Sequence, residues 1–195
     1  MGRLLRLLPL LAALFAAACA TMPPGGPPRG EERQIAELAA TLMALGPEVD
    51  PEEAARAARI SYEHTHRLAL EYEITDPPLV HNTKVNMGLK PRGLCWHWAE
   101  DMEARLKQEG FETLELHRAI ANADNPFRID HSTAIISAKG DSMFDGVVLD
   151  PWREGGILFW EHTREDTDYN WRPRGLVLSE KRERALSRRF EPARP

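Results

Sequence analysis

The decapeptide Thr21-Met22-Pro23-Pro24-Gly25-Gly26-Pro27-Pro28-Arg29-Gly30 decides where folding can begin. Its prolines lack the amide donor that a helix or a sheet ladder needs, and its glycines raise the entropic cost of order. No regular element runs through such a stretch. The residues on its two sides are therefore separate units, and the segment reads as a semi-extended spacer between them.

The N-terminal unit is short. Arg3 and Arg6 supply positive charge, and Leu7 to Ala18 form an apolar run broken only by Pro9, too short to span a bilayer comfortably. Residues 1–18 read as a signal peptide. Ala16-Ala17-Ala18-Cys19 resembles a lipobox, although leucine is commoner where Ala16 stands; cleavage by an ordinary signal peptidase near Ala18 or Ala20 is the alternative. The resemblance to bacterial lipoproteins implies lipid on Cys19, a tether over 19–30, and a membrane partner reached through that anchor. With Ala20 next and no aspartate there, it implies the outer membrane, facing the periplasm.

Behind the tether, residues 31–195 are enough for one domain with a real core. The 28% charged and 43% hydrophobic composition is ordinary for a globular fold. A formal net charge of −5 gives no general electrostatic reason to bind nucleic acid. The arginine-rich tail, 172–195, reads as a solvated helix end, with anionic lipid or cell-wall polymer as the charged alternative.

Apolar residues at Ile35, Leu38, Ala39, Leu42 and Met43 repeat at helical spacing, and Gly46-Pro47 ends them. Asp50-Pro51-Glu52-Glu53 has the form of a helix start, with a capping carboxylate, proline at the first position and acids at the positive dipole end. That helix is expected to reach Tyr72, completing a helical part over 31–76. Leu79 to Arg92 reads as irregular. A helix opening at Leu94 or Cys95 runs to Lys107 and stops at Gly110. Strands come next at Phe111–His117, His131–Ala138 and Gly146–Asp150, with a short fourth at Ile157–Trp160. Helices and then antiparallel strands make the fold class α+β, with a core over 79–171.

The chain has two cysteines, and lipidation of Cys19 leaves Cys95 as the one thiol of the mature protein. An unpaired thiol in an oxidising compartment is buried or chemically useful. Cys95 heads a helix, where backbone N–H groups and the dipole favour a thiolate and can donate to a developing oxyanion. His131 begins one strand and Asp150 ends the next, so the hairpin between them can bring base and orienting carboxylate together. Taken singly, Cys95 is a small buried residue, His131 a strand-end histidine and Asp150 a turn former; the ordered trio carries the chemical reading.

Gly93-Leu94-Cys95-Trp96-His97-Trp98, Asp130-His131-Ser132 and Leu149-Asp150-Pro151-Trp152 together resemble the transglutaminase-like branch of the papain-like cysteine enzymes, over about Asn82 to Trp152. The resemblance implies a cysteine-headed helix packed on an antiparallel sheet and a Cys-His-Asp triad working without cofactor or metal. The glutamine that papain-type proteases carry before the cysteine is absent. Asn86, Asn82 or the Cys95 backbone N–H is left as the oxyanion donor. Trp96, Trp98 and Trp152 are candidates for lining a substrate cleft. Location suggests a peptide, protein or peptidoglycan stem peptide as substrate. Two other readings stand beside the enzyme. One is an inactive binding or assembly lipoprotein of the same fold; the other is a metallohydrolase built on His64, His66, His81 and His97.

Overall fold

The computed structural model describes residues 26–190, so the expected signal peptide and Cys19 lie outside the described residues. Among those described, the order is α1 (Glu32–Met43), α2 (Pro51–Glu71), α3 (Pro78–Asn86), α4 (Cys95–Lys107), β1 (Leu114–Ala121), β2 (His131–Ala138), a 3-10 turn (Met143–Asp145), β3 (Val147–Asp150), β4 (Phe159–His162), β5 (Arg172–Pro173) and α5 (Arg174–Phe190). The strands form one antiparallel sheet in the order β4-β3-β2-β1-β5. The fold is α+β, and no helix among the described residues is long and apolar enough to cross a membrane.

The helices form where local signals agree. The Asp50 carboxylate accepts from the amides of Glu52 and Glu53 at 2.8 and 3.0 Å, capping α2 with Pro51 in its first turn. Ile35, Leu38 and Leu42 of α1 meet Ala54, Ala57, Ala58 and Tyr62 of α2. This layer, with Met102 and Leu106 of α4, covers Ala134, Ile136, Val147 and Leu149 on one sheet face. The opposite face carries Ala119, Ala121, Ile135 and Val148, covered by Met143, Tyr169 and Trp171.

The fourth strand runs Phe159–His162 instead of Ile157–Trp160, and Arg172–Pro173 of the expected tail pairs as β5. The structure departs from the expected elements in three larger ways. Residues 78–86, expected to be irregular, form helix α3; only His81 is buried there, so no apolar stripe announced it. β1 starts at Leu114 and continues to Ala121 instead of spanning Phe111–His117. Its expected first residues are occupied elsewhere, because the buried Glu53 carboxylate accepts from the amides of Glu112 and Thr113 and from the Thr113 hydroxyl at 2.8, 2.9 and 2.6 Å. Burial pushes the Glu53 pKa up, but these hydrogen bonds outweigh it and hold the carboxyl below its usual range.

The third departure is the tether, expected through Gly30. Its last residues dock on the domain, with Pro27 buried and its carbonyl accepting from His66 at 3.1 Å. Gly156 sits at φ +93°, and a Cβ there would lie 2.8 Å from the Pro27 ring. Glycine is thus what lets this close approach occur.

Candidate active site

Three backbone features converge at one end of the sheet. Cys95 is the first residue of α4, His131 the first of β2 and Asp150 the last of β3. The structure brings all three together in a buried cluster.

The segment before Cys95 is gripped from every side. Gly93 has φ +121°, and a Cβ on it would fall 2.4 Å from His81 Nε2, so glycine is required there. His81 Nε2 donates to the Arg92 carbonyl at 2.8 Å, and Trp98 Nε1 donates to the Gly93 carbonyl at 3.1 Å. His97 Nδ1 accepts from the amides of Gly93 and Leu94 at 3.1 and 3.2 Å, satisfying donors that the start of a helix leaves open. Burial first, and the nearby Arg92 charge second, hold the His97 pKa below normal. The neutral ring is the form that can accept. Arg92 in turn makes two 3.0 Å contacts with the Asp101 carboxylate, to which the Tyr72 hydroxyl also donates.

His131 is 1% exposed, and its Nε2 donates to Asp150 Oδ2 at 2.5 Å. The other ring nitrogen, Nδ1, is buried without a hydrogen-bond partner. Burial pulls the His131 pKa down, but the Asp150 charge and hydrogen bond, and after them the neighbouring Cys95 thiol, overcome it and raise the value to about 9. Cys95 is 7% exposed, and its thiol donates to the Asp130 carbonyl at 3.5 Å.

Three residues around Asp150, namely Arg153, Asp166 and Tyr169, escaped the sequence reading as members of the site. The Arg153 amide and Nε donate to the two Asp150 oxygens, each at 3.2 Å. The other guanidinium nitrogens reach Asp166 at 3.1 and 2.6 Å, and Trp171 Nε1 donates to Asp166 at 2.8 Å. Tyr169, Trp152 and Trp171 surround the imidazole with ring centroids 4.5, 4.7 and 5.3 Å away. The Arg153 guanidinium lies 3.9 Å from the Phe159 ring centre and 4.6 Å from that of Tyr169. Arg153 stands three residues after Asp150, which was a local signal. Asp166, Tyr169 and Trp171 come from a stretch without periodicity, and only the tertiary fold brings them in.

The remaining candidates divide. Asn82 accepts from Trp152 Nε1 at 3.0 Å, and Trp152 packs in one cluster with Cys95. Asn86, one turn along α3, is exposed and makes no hydrogen bond to the site among the described residues. Trp98 is 1% exposed, with its ring against Tyr72 at 4.7 Å; it is a core residue and not a cleft wall. Trp152 is covered as well, while Trp96 is 47% exposed and free to meet a ligand. His64 and His66 are spent on the carbonyls of Asp101 and Pro27, and His81 and His97 on the loop before Cys95. Among the described residues no three His, Cys, Asp or Glu side chains gather as a metal site, so the four-histidine grouping does not form.

Cys95, His131 and Asp150 thus form a thiol, imidazole and carboxylate series, with the carboxylate anchored from behind by Arg153. Such a series can hold a proton next to a nucleophile and return it. No family model, curated protein or solved structure matches the chain.

Proposed function

We propose that the protein is a cysteine-dependent amide hydrolase or acyltransferase of the transglutaminase-like, papain-like kind, acting in the bacterial cell envelope. In this proposal lipid on Cys19 holds it to the outer membrane, facing the periplasm. The observation that carries the chemistry is the buried His131–Asp150 bond beside a thiol at a helix N-terminus. The location rests on the lipobox-like residues alone.

With the proton of the Cys95 side chain already held on His131, the Cys95 sulfur attacks a substrate carbonyl carbon, forming a C–S bond. The oxyanion is met by the Cys95 backbone N–H and by the Asn82 amide, whose oxygen is already engaged by Trp152. The C–N bond then breaks as the imidazolium protonates the leaving amine, and a thioester remains. Water, deprotonated by His131, attacks the thioester and restores the thiol with release of an acid. An incoming amine in place of water gives transfer. A peptide, protein or peptidoglycan stem peptide supplies the amide.

Enclosure of the thiol favours a second reading, a binding or assembly lipoprotein that keeps the fold without the reaction, since Cys95 is 7% and His131 1% exposed. Iodoacetamide alkylation of Cys95 across pH separates the two. The enzyme reading expects fast alkylation at pH 6, well under the point near 8.5 at which a free cysteine ionises, and a loss of that acid-side reactivity in His131→Ala. A thiol inert throughout, or one indifferent to His131, overturns it in favour of the binding protein.

A further inference from the structure

The two edges of the sheet are unequal. β4, at one edge, is four residues long. β1, next to the other edge, has eight, yet its outer neighbour β5 pairs only with Ala119 and Ile120. From Leu114 to Arg118, β1 pairs with β2 on one side and has no backbone partner on the other among the described residues. Residues of an antiparallel strand turn N–H and C=O alternately to one side and the other, so this stretch presents open donors and acceptors outward. Folded proteins normally pair, cover or blunt such an edge.

At His117 and Arg118 the edge opens into a groove of about 570 Å³, and the groove has two chemically different walls. Arg118 lies on the sheet face that packs on α4, and from α4 come Glu103 and Lys107. Glu103 is shared, at 2.8 Å from Lys107 and 3.3 Å from Arg118. Arg174, at the start of α5, stands near enough to act on the Arg118 charge and has no carboxylate partner among the described residues. This wall carries three cations against one carboxylate. The opposite wall, on the side of His117, is formed by Met143 and by Phe144, which is 40% exposed.

We infer that the open edge of β1 binds an extended acidic polypeptide segment as an added strand. Side chains of a strand point alternately to the two faces. Acidic residues of the segment therefore meet Lys107 and Arg174, with Arg118 behind them on Glu103, and the apolar residues between them meet Phe144. Backbone hydrogen bonds to Leu114–Arg118 supply affinity, and the two walls supply the sequence preference. Lys107, Arg174 and Phe144 stand apart from the Cys95 site, and only Arg118 reaches toward it, through the Trp96 carbonyl and the Ser132 hydroxyl, so the inference does not rest on the proposed reaction.

The probe is a fluorescein-labelled hexapeptide of alternating glutamate and valine, titrated by anisotropy into the full chain, with amide exchange measured in parallel. Saturable binding is expected, with slowed exchange confined to outward amides of Leu114–Arg118. Arg174→Glu should weaken it by at least about tenfold, since one close charge pair across an interface is worth more than about 1.4 kcal/mol. The variant keeps its fold, because an acid suits the first turn of α5. Phe144→Ala should weaken it less, a peptide N-methylated at alternate residues should not bind, and Cys95→Ser should bind as well as wild type. Equal binding of a lysine and valine peptide, or unchanged exchange at Leu114–Arg118, overturns the inference. So does protection of these amides that rises with protein concentration alone, which would make a second copy the occupant.

Discussion

The two ends of α4 are both rich in polar and charged groups, yet they are built on opposite principles. At the C-terminal end Arg105 pairs with Glu109 at 2.7 Å and Lys107 with Glu103 at 2.8 Å, all four reachable by solvent. At the N-terminal end Cys95, His97, His131 and Asp150 are each 7% exposed or less, and the last two share a 2.5 Å hydrogen bond. Exposed pairs are worth about 0–1 kcal/mol, whereas removing one member of a buried pair costs about 3–5 kcal/mol. Burial of so many polar groups is expensive unless each is answered; Asp150 and His97 are answered, while His131 Nδ1, His81 Nδ1 and Arg92 Nε are buried without a partner. That contrast is why the proposed reaction is placed at the N-terminal end.

The largest effects should come from the reacting groups. Cys95→Ala should abolish cleavage of a peptide p-nitroanilide while leaving the urea midpoint nearly unchanged, because one small buried residue replaces another. His131→Ala should lower the rate by about 10²–10⁴-fold, the usual range for a general acid–base group. A Cys95→Ala chain that still cleaves would remove the distinction between the two ends of the helix.

Arg153→Ala comes next and reads out in stability. It strips both the Asp150 and Asp166 carboxylates of their common cation, so a loss of about 3–5 kcal/mol in urea unfolding is expected. Arg153→Lys should recover part of this, since one ammonium cannot reproduce the fork that spans two acids. A loss under about 1 kcal/mol, the range of an exposed pair, would put the anchor on the same footing as the far end of α4.

How much of the molecule was legible in its sequence depends on the range over which each signal acts. α1, α2 and α4 show period and caps within their own residues, and β2 has its full span, His131–Ala138, in one apolar run between turns. Cys95, His131 and Asp150 were legible because each occupies an element terminus, and termini are punctuated by Gly93, Asp130 and Pro151. The displaced start of β1 was hidden because Glu53, on another helix, decides it. α3 was hidden because its contacts are polar: His81 to Arg92, Lys84 to Asp76 and Asn82 to Trp152. Asp166 acts through Arg153, and pairing across the fold leaves no mark on spacing.

The pH dependence sharpens the comparison at a smaller scale. The folded His131 pKa is raised to about 9, above the ordinary value of 6.5, so the protonated ring stabilises the fold. That contribution is complete below about 6.5 and is lost as pH rises from there through about 9. The urea midpoint of wild type should fall between pH 6 and pH 10 by more than that of His131→Gln, which has no proton to release there. Parallel curves for the two chains would mean that the imidazole is not charged in the folded state.

The smallest effect belongs to the far end of α4, and it is the control for the rest. Lys107 has 60% of its side chain in solvent, and its partner Glu103 retains Arg118 when Lys107 is removed. Lys107→Ala should therefore shift unfolding by no more than about 0.5 kcal/mol and leave peptide p-nitroanilide cleavage unchanged. Raising the salt should not change the variant's stability more than that of wild type, because screening already weakens an exposed pair. Were Lys107→Ala to cost as much as Arg153→Ala, distance from water would not be what separates the two ends. The charge network along α4 would then have to be treated as one cooperative unit running from Arg118 to the nucleophile.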